Sequence, residues 1–85
     1  MTLYVTERTF PEPADLTADA IQQIEEVNAD EGVQWQYSFF SPDGRRSYCI
    51  YQAASPDAVR AASKRAGLPV DAVVEVTRVS SAMFE

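Results

Sequence analysis

The side chains of this 85-residue sequence that could do chemistry are its single cysteine and the tyrosines and carboxylates near it. Cys49 lies in the segment SYCIYQ, close to Tyr51, and Glu75 lies in a second apolar segment, AVVEV. A thiolate can act as a nucleophile or metal ligand, and a carboxylate can act as a base or metal ligand. Cys49 and Glu75 are therefore candidate metal ligands, and with Tyr51 they are candidate polar groups of a ligand pocket.

The sequence contains no histidine. This excludes Ser-His and Cys-His nucleophile pairs and removes the commonest protein ligand of zinc, nickel and copper. Any acid–base step would have to use Asp, Glu, Tyr, Lys or Cys. No catalytic motif stands out, so the catalytic residues of an enzymatic function, if there is one, are unknown from the sequence.

The charge balance and the hydropathy pattern limit the classes of partner that this chain is expected to bind. Seven basic and 13 acidic residues give a net charge of −6, which opposes binding to the phosphates of DNA or RNA. No stretch approaches the roughly 20 apolar residues of a membrane span, and no basic start is followed by a long apolar run. We therefore expect a cytoplasmic protein that binds neither nucleic acid nor membrane.

The pattern of apolar residues and helix caps predicts the elements that position these side chains. Strands are expected over residues 3–7, 33–40, 45–53 and 72–79, and helices begin at the N-caps Thr17 and Ser55 and end before Gly32 and Gly67. The order β-α-β-β-α-β predicts an α+β ferredoxin-like sandwich, with a four-stranded antiparallel sheet and two helices on one face. We expect one domain over 1–85, in which residues 80–85 form a loose or docking tail.

Both faces of the predicted sheet are apolar. A PDG turn that places Ser41 opposite Arg45 pairs Trp35 with Tyr51 and Tyr37 with Cys49; a different turn length would shift the pairing by one residue. With this register, the side under the helices consists of Leu3, Val5, Phe40, Tyr48, Ile50, Val74 and Val76. The open side consists of Tyr4, Thr6, Trp35, Tyr37, Phe39, Cys49, Tyr51, Glu75 and Thr77.

An aromatic sheet face in water is unfavourable, so we expect the same face of a second subunit to cover it. One interpretation is a structural dimer with no ligand. Another is a dimeric binding protein whose interface leaves a small-molecule pocket lined by these aromatics. A third is a cofactor-independent enzyme of the dimeric α+β barrel type that acts on a small hydrophobic substrate, with Glu75 or a tyrosinate as base.

Four short segments carry a resemblance to a known family: YCIY at 48–51, SP at 55–56, AGLP at 66–69 and VEV at 74–76. The chain resembles a bacterial domain-of-unknown-function family of small ferredoxin-like proteins that includes nickel-binding proteins. The resemblance implies a homodimer with nickel or another divalent metal as its cofactor. Because this chain lacks histidine, Cys49, carboxylates and backbone would have to hold the metal, a poor ligand set for nickel.

Overall fold

The computed structural model describes residues 1–84. The elements are β1 (Thr2–Thr9), α1 (Ala18–Asp30), β2 (Gln34–Phe40), β3 (Arg46–Ala53), α2 (Pro56–Arg65), β4 (Ala72–Val76) and a 3-10 turn (Ser81–Phe84). The strands form one antiparallel sheet in the order β2-β3-β1-β4. This is the predicted ferredoxin-like arrangement, in which two helices pack on one side of the sheet.

Local signals set the helix boundaries. The hydroxyl oxygens of Thr17 and Ser55 each accept a hydrogen bond from the backbone amide three residues later, at 3.1 and 3.2 Å. These are N-caps that satisfy an otherwise unpaired amide of the first turn. Gly32 and Gly67 follow the two helices with φ near 71°, a left-handed conformation that side chains disfavour.

The last strand is shorter than predicted. It ends at Val76 rather than at residue 79, because β4 pairs only with β1 and Val76 already lies opposite Leu3. The tail forms a 3-10 turn in which Met83 and Phe84 are exposed, so within the chain these two side chains do not dock. Glu85, the last residue of the predicted tail, lies outside the described residues.

The β2–β3 hairpin corrects the predicted register. The amide of Ser41 donates to the carbonyl of Arg46 rather than pairing with Arg45, so the turn is one residue longer than expected. A bulge between Trp35 and Tyr37 shifts the pairing back by one residue, so that Trp35 has the predicted register again. The pairing of Trp35 with Tyr51 is therefore confirmed. The pairing of Tyr37 with Cys49 is wrong, because Tyr37 lies opposite Ile50.

The assignment of the two sheet faces is largely inverted. Tyr4, Cys49 and Tyr51 form the core with Val59 and Ala62 of α2. The predicted open-side residues that lie instead on the helix side are Tyr4, Thr6, Trp35, Cys49, Tyr51 and Glu75, and the predicted helix-side residues that lie on the open side are Leu3, Val5, Tyr48, Ile50, Val74 and Val76. The reason is that both alternating sets are apolar, so strand periodicity does not distinguish them.

Three residues were assigned to the correct side: Tyr37 and Phe39 on the open side and Phe40 beneath the helices. In a regular strand Trp35, Tyr37 and Phe39 would all lie on one face. The bulge places Trp35 on the helix side, while Tyr37 and Phe39 lie on the other side. We use the name open face for the apolar side away from the helices, formed by Leu3, Val5, Tyr37, Phe39, Tyr48, Ile50, Val74 and Val76.

The open face is not hydrophilic, in agreement with the prediction that the sheet has two apolar sides. Phe39 is 62% exposed, Tyr37 49%, Val74 44% and Tyr48 36%. Tyr37 and Phe39 contact each other edge to face, with ring centroids 5.5 Å apart.

Within residues 1–84, neither helix has the length and apolar character needed to cross a bilayer.

Candidate functional site

A cavity of about 570 Å3 lies between α1, the 10–16 loop and the helix side of the sheet. Its apolar lining includes Phe10, Leu16, Ile21, Ile24, Val27, Trp35, Phe40 and Leu68. Its polar lining on the sheet consists of Arg8, Ser38, Ser47, Cys49 and Tyr51. An apolar concave space with a few convergent polar groups is the usual form of a small-ligand site.

Arg8 is the most unusual residue of this site. It lies on β1 in the same alternating set as Tyr4 and Thr6, and it is only 2% exposed. Its Nη1 donates to the carbonyl of Pro69 at 2.8 Å, and its Nη2 donates to the hydroxyl oxygens of Tyr51 and Ser63, both at 3.0 Å. These bonds tie β1 to β3, to α2 and to the loop after α2.

The charge of Arg8 is not balanced by a carboxylate. All three acceptors are neutral, and Arg8 forms no salt bridge with any residue from 1 to 84. Its Nε has no hydrogen-bond partner within the same residues. A buried charge is normally paired, because removal from water costs several kcal/mol per ion. The site therefore holds an uncompensated positive charge beside an apolar cavity.

Cys49 lies next to this charge and is 6% exposed. Its Sγ is 3.6 Å from the hydroxyl oxygen of Ser47. Burial raises the pKa of the Cys49 thiol, but the hydroxyls of Ser38 and Ser47 and the charge of Arg8 together outweigh it, so the pKa lies below its ordinary value. The cavity wall thus favours negative charge at this position.

The pKa of Tyr51 is shifted in the opposite direction from that of Cys49. Burial raises the pKa of its phenol above the ordinary value, although the nearby charge of Arg8 partly counteracts this. Tyr51 therefore stays protonated at neutral pH. Its hydroxyl accepts from Arg8, and the guanidinium carbon lies 5.9 Å from the centre of its ring. Tyr51 consequently helps to position Arg8.

The bulge places Trp35 on the helix side of the sheet, beside Tyr51. Its indole Nε1 donates to the hydroxyl oxygen of Ser38 at 2.9 Å, across the extra residue of β2. Both side chains reach the cavity, and Ser38 lies opposite Cys49 in the sheet. The bulge therefore sets two cavity residues on the helix side and directs Tyr37 to the open face.

The predicted site residues divide into three groups. Trp35, Cys49 and Tyr51 meet at the cavity, and Tyr4 and Thr6 are buried on the same side of the sheet. Tyr37 and Phe39 lie on the open face. Glu75 is exposed on the edge strand β4 and does not line the cavity.

The two candidate metal ligands are not brought together. Cys49 is buried on β3, whereas Glu75 is exposed on β4, with β1 between the two strands. Within residues 1–84 there is no cluster of three or more Cys, Asp or Glu side chains able to hold a metal ion. A divalent metal needs several such donors at once, so the described residues of one chain do not fit a nickel site.

Sequence reasoning missed four polar residues of the site: Arg8, Ser38, Ser47 and Ser63. One signal was available, because Arg8 follows Tyr4 and Thr6 in strict alternation and so shares their face. An arginine in register with buried strand residues indicates a polar group with a specific partner. The three serines carry no comparable signal, since serine is common on both exposed and buried surfaces.

Comparison with known proteins gives two matches. The family described as "Nickel responsive protein SCO4226-like" matches residues 4–76. The solved structure described as "Crystal structure analysis of SCO4226 from Streptomyces coelicolor A3(2)" superposes with a TM-score of 0.69 at 22% identity, over 92% of this chain and 99% of that chain. At this identity the structural match supports the fold alone. No curated protein matches the chain.

Proposed function

Because this chain belongs to the SCO4226-like family of nickel-responsive proteins, we propose that it is a small binding protein whose ligand occupies the cavity between α1 and the sheet. The observation that carries the proposal is the cavity itself, which combines an apolar lining with the convergent polar groups of Arg8, Cys49 and Tyr51. Its volume lies within the range of about 300–1,000 Å3 that is usual for small-molecule sites.

A binding role is favoured over a cofactor-independent enzyme. The carboxylate considered as a base, Glu75, is exposed and does not line the cavity. The tyrosine that does line it, Tyr51, has a raised pKa and so is a poor source of tyrosinate at neutral pH. A general base must reach the proton that it removes, and it must be deprotonated at the working pH. Glu75 does not meet the first requirement, and Tyr51 does not meet the second.

The binding role can be tested with the apolar fluorophore N-phenyl-1-naphthylamine. Trp35 is the only tryptophan of the sequence and lines the cavity, so light absorbed by Trp35 should appear as emission from a bound fluorophore. The variant Ala20→Phe places a ring on the cavity-lining surface of α1 and should abolish the transfer. Ala29→Phe, at an exposed position of the same helix that does not line the cavity, is the matched control.

Energy transfer in the wild type and in Ala29→Phe, but not in Ala20→Phe, would support a ligand site at the cavity. Absence of transfer in the wild type, or equal transfer in all three proteins, would overturn the proposed function. Circular dichroism of the three proteins verifies that each is folded.

Nickel binding is tested separately from ligand binding in the cavity, because one chain lacks a suitable cluster of metal ligands within residues 1–84. We expect calorimetric titration of protein purified without a histidine tag to show no stoichiometric nickel complex at micromolar concentrations. A stoichiometric complex would contradict this expectation. Its loss in Cys49→Ser would then identify the thiol as a ligand.

Self-association is the second part of the proposal. The open face presents four aromatic or aliphatic side chains that are at least 36% exposed: Tyr37, Phe39, Tyr48 and Val74. A contiguous apolar surface of this kind is normally covered by a partner. We propose a second copy of the chain as the cover, since symmetric dimers are the commonest soluble oligomers.

A further inference from the structure

We propose that the cavity takes a small organic monocarboxylate, with Arg8 holding the carboxylate and the apolar lining holding the rest of the ligand. This inference rests on the proposed function, because it names the chemical class of the ligand for that site. Three features of the cavity carry it: the unpaired charge, the apolar lining and the acidic rim.

The first feature is the charge of Arg8. The side chain is 98% buried and bonds only to neutral oxygens, and its Nε has no partner within residues 1–84. An arginine guanidinium stays protonated in proteins, so Arg8 cannot avoid the cost of burial by losing its proton. A carboxylate is the partner that a guanidinium binds best, through short charge-assisted hydrogen bonds.

Other groups near the cavity do not supply this partner. The carboxylates of Asp30 and Glu31 are already bonded to Arg65, at 3.2 and 3.0 Å. The sulfur of Cys49 lies 3.6 Å from the hydroxyl oxygen of Ser47, and Arg8 lowers the pKa of this thiol, but Cys49 supplies no carboxylate. Of the two arginines that line the cavity, Arg8 is therefore the one without a carboxylate partner, because Arg65 has two.

The second feature is the apolar lining of the cavity. Ile21, Ile24 and Val27 of α1 contribute one wall, and Trp35 and Phe40 of β2 contribute another. Burying a ligand's hydrocarbon against these side chains is favourable in proportion to the area removed from water. The cavity therefore suits a ligand with an apolar body and a single charged end.

The third feature limits the ligand to one negative charge. The exposed carboxylates of Glu12 and Asp15 also line the cavity, and the chain carries a net charge of −6. These charges repel a phosphate or dicarboxylate more strongly than a monocarboxylate. The guanidinium of Arg8 carries one positive charge, so it can neutralise one negative charge of a ligand.

The test compares two ligands of matched length, octanoate and 1-octanol, by the change in Trp35 fluorescence. We expect the wild type to bind octanoate at least about tenfold more tightly than 1-octanol, a ratio that corresponds to one charge-assisted interaction. Arg8→Gln should remove this preference and leave the affinity for 1-octanol unchanged. Arg65→Gln, which removes the paired arginine at the same cavity, should keep the preference.

A variant of the buried Arg8 could fail to fold, so Tyr51→Phe provides a second route. It removes the hydroxyl that accepts from Nη2 and should reduce the octanoate preference severalfold without changing 1-octanol binding. Equal affinity for both ligands in the wild type, or a preference that depends on Arg65 and not on Arg8 or Tyr51, would overturn the inference and leave the proposed function intact. Binding of neither ligand, together with no transfer to the naphthylamine, would overturn both.

Discussion

A Phe39→Glu variant is expected to have the mass of one chain in solution, whereas the wild type is expected to have the mass of two. Phe39 is the most exposed residue of the open face, at 62%, so the substitution changes little within one chain. In a dimer built on this face the new carboxylate would be buried without a partner. Such a burial costs several kcal/mol and is enough to dissociate a dimer of ordinary affinity.

The measurement is size-exclusion chromatography with light scattering at several protein concentrations. Gln22→Glu is the matched control, because it adds the same charge at an exposed position of α1 and should leave the mass at two chains. A wild type that has the mass of one chain at about 100 µM would remove the case for self-association. A Phe39→Glu variant that retains the mass of two chains would place the interface elsewhere.

The second large effect is on stability. Ala62→Leu is expected to lower the free energy of unfolding by about 1–3 kcal/mol, because extra carbons in a filled core force side chains and backbone to shift. Ala62 is 2% exposed on α2 and packs against the core residues of the sheet. For a domain of this size the melting temperature should fall by about 4–8 °C for each kcal/mol lost.

Ala29→Leu is the control for this stability prediction. It makes the same change at an exposed position of α1 and should alter the free energy of unfolding by less than about 0.5 kcal/mol. Urea unfolding of the three proteins gives the comparison. An equal effect of the two substitutions would show that the contact between α2 and the sheet is not tightly packed.

Local residue patterns were sufficient to predict the elements and their order. Ser55 caps α2 through its hydroxyl, Pro56 starts the helix, and Gly67 follows it with positive φ. Each of these signals acts through backbone atoms only a few residues away. Such short-range preferences are present in the sequence whatever the rest of the chain does, and they lead directly to the ferredoxin-like order of strands and helices.

The hairpin shows where short-range information becomes insufficient. The turn after Ser41 is one residue longer than predicted, and the bulge beyond Trp35 reverses that shift. The pairing of Trp35 with Tyr51 was thus predicted correctly although the turn beside it was not. A bulge re-aims the side chains beside it, and here the Trp35 indole bonds to Ser38 across the extra residue.

Helix caps, glycines and strand alternation are local properties, so the amino-acid pattern alone predicts a β-α-β-β-α-β sheet with two apolar faces. Which of the two faces the helices cover is known only from the folded chain. Both alternating sets of strand residues are apolar, so the choice depends on contacts between distant segments, among them the bonds that join Arg8 to Ser63 and Pro69. The cavity follows from that choice, since its lining comes from the 10–16 loop, both helices and three strands, which meet only in the folded chain.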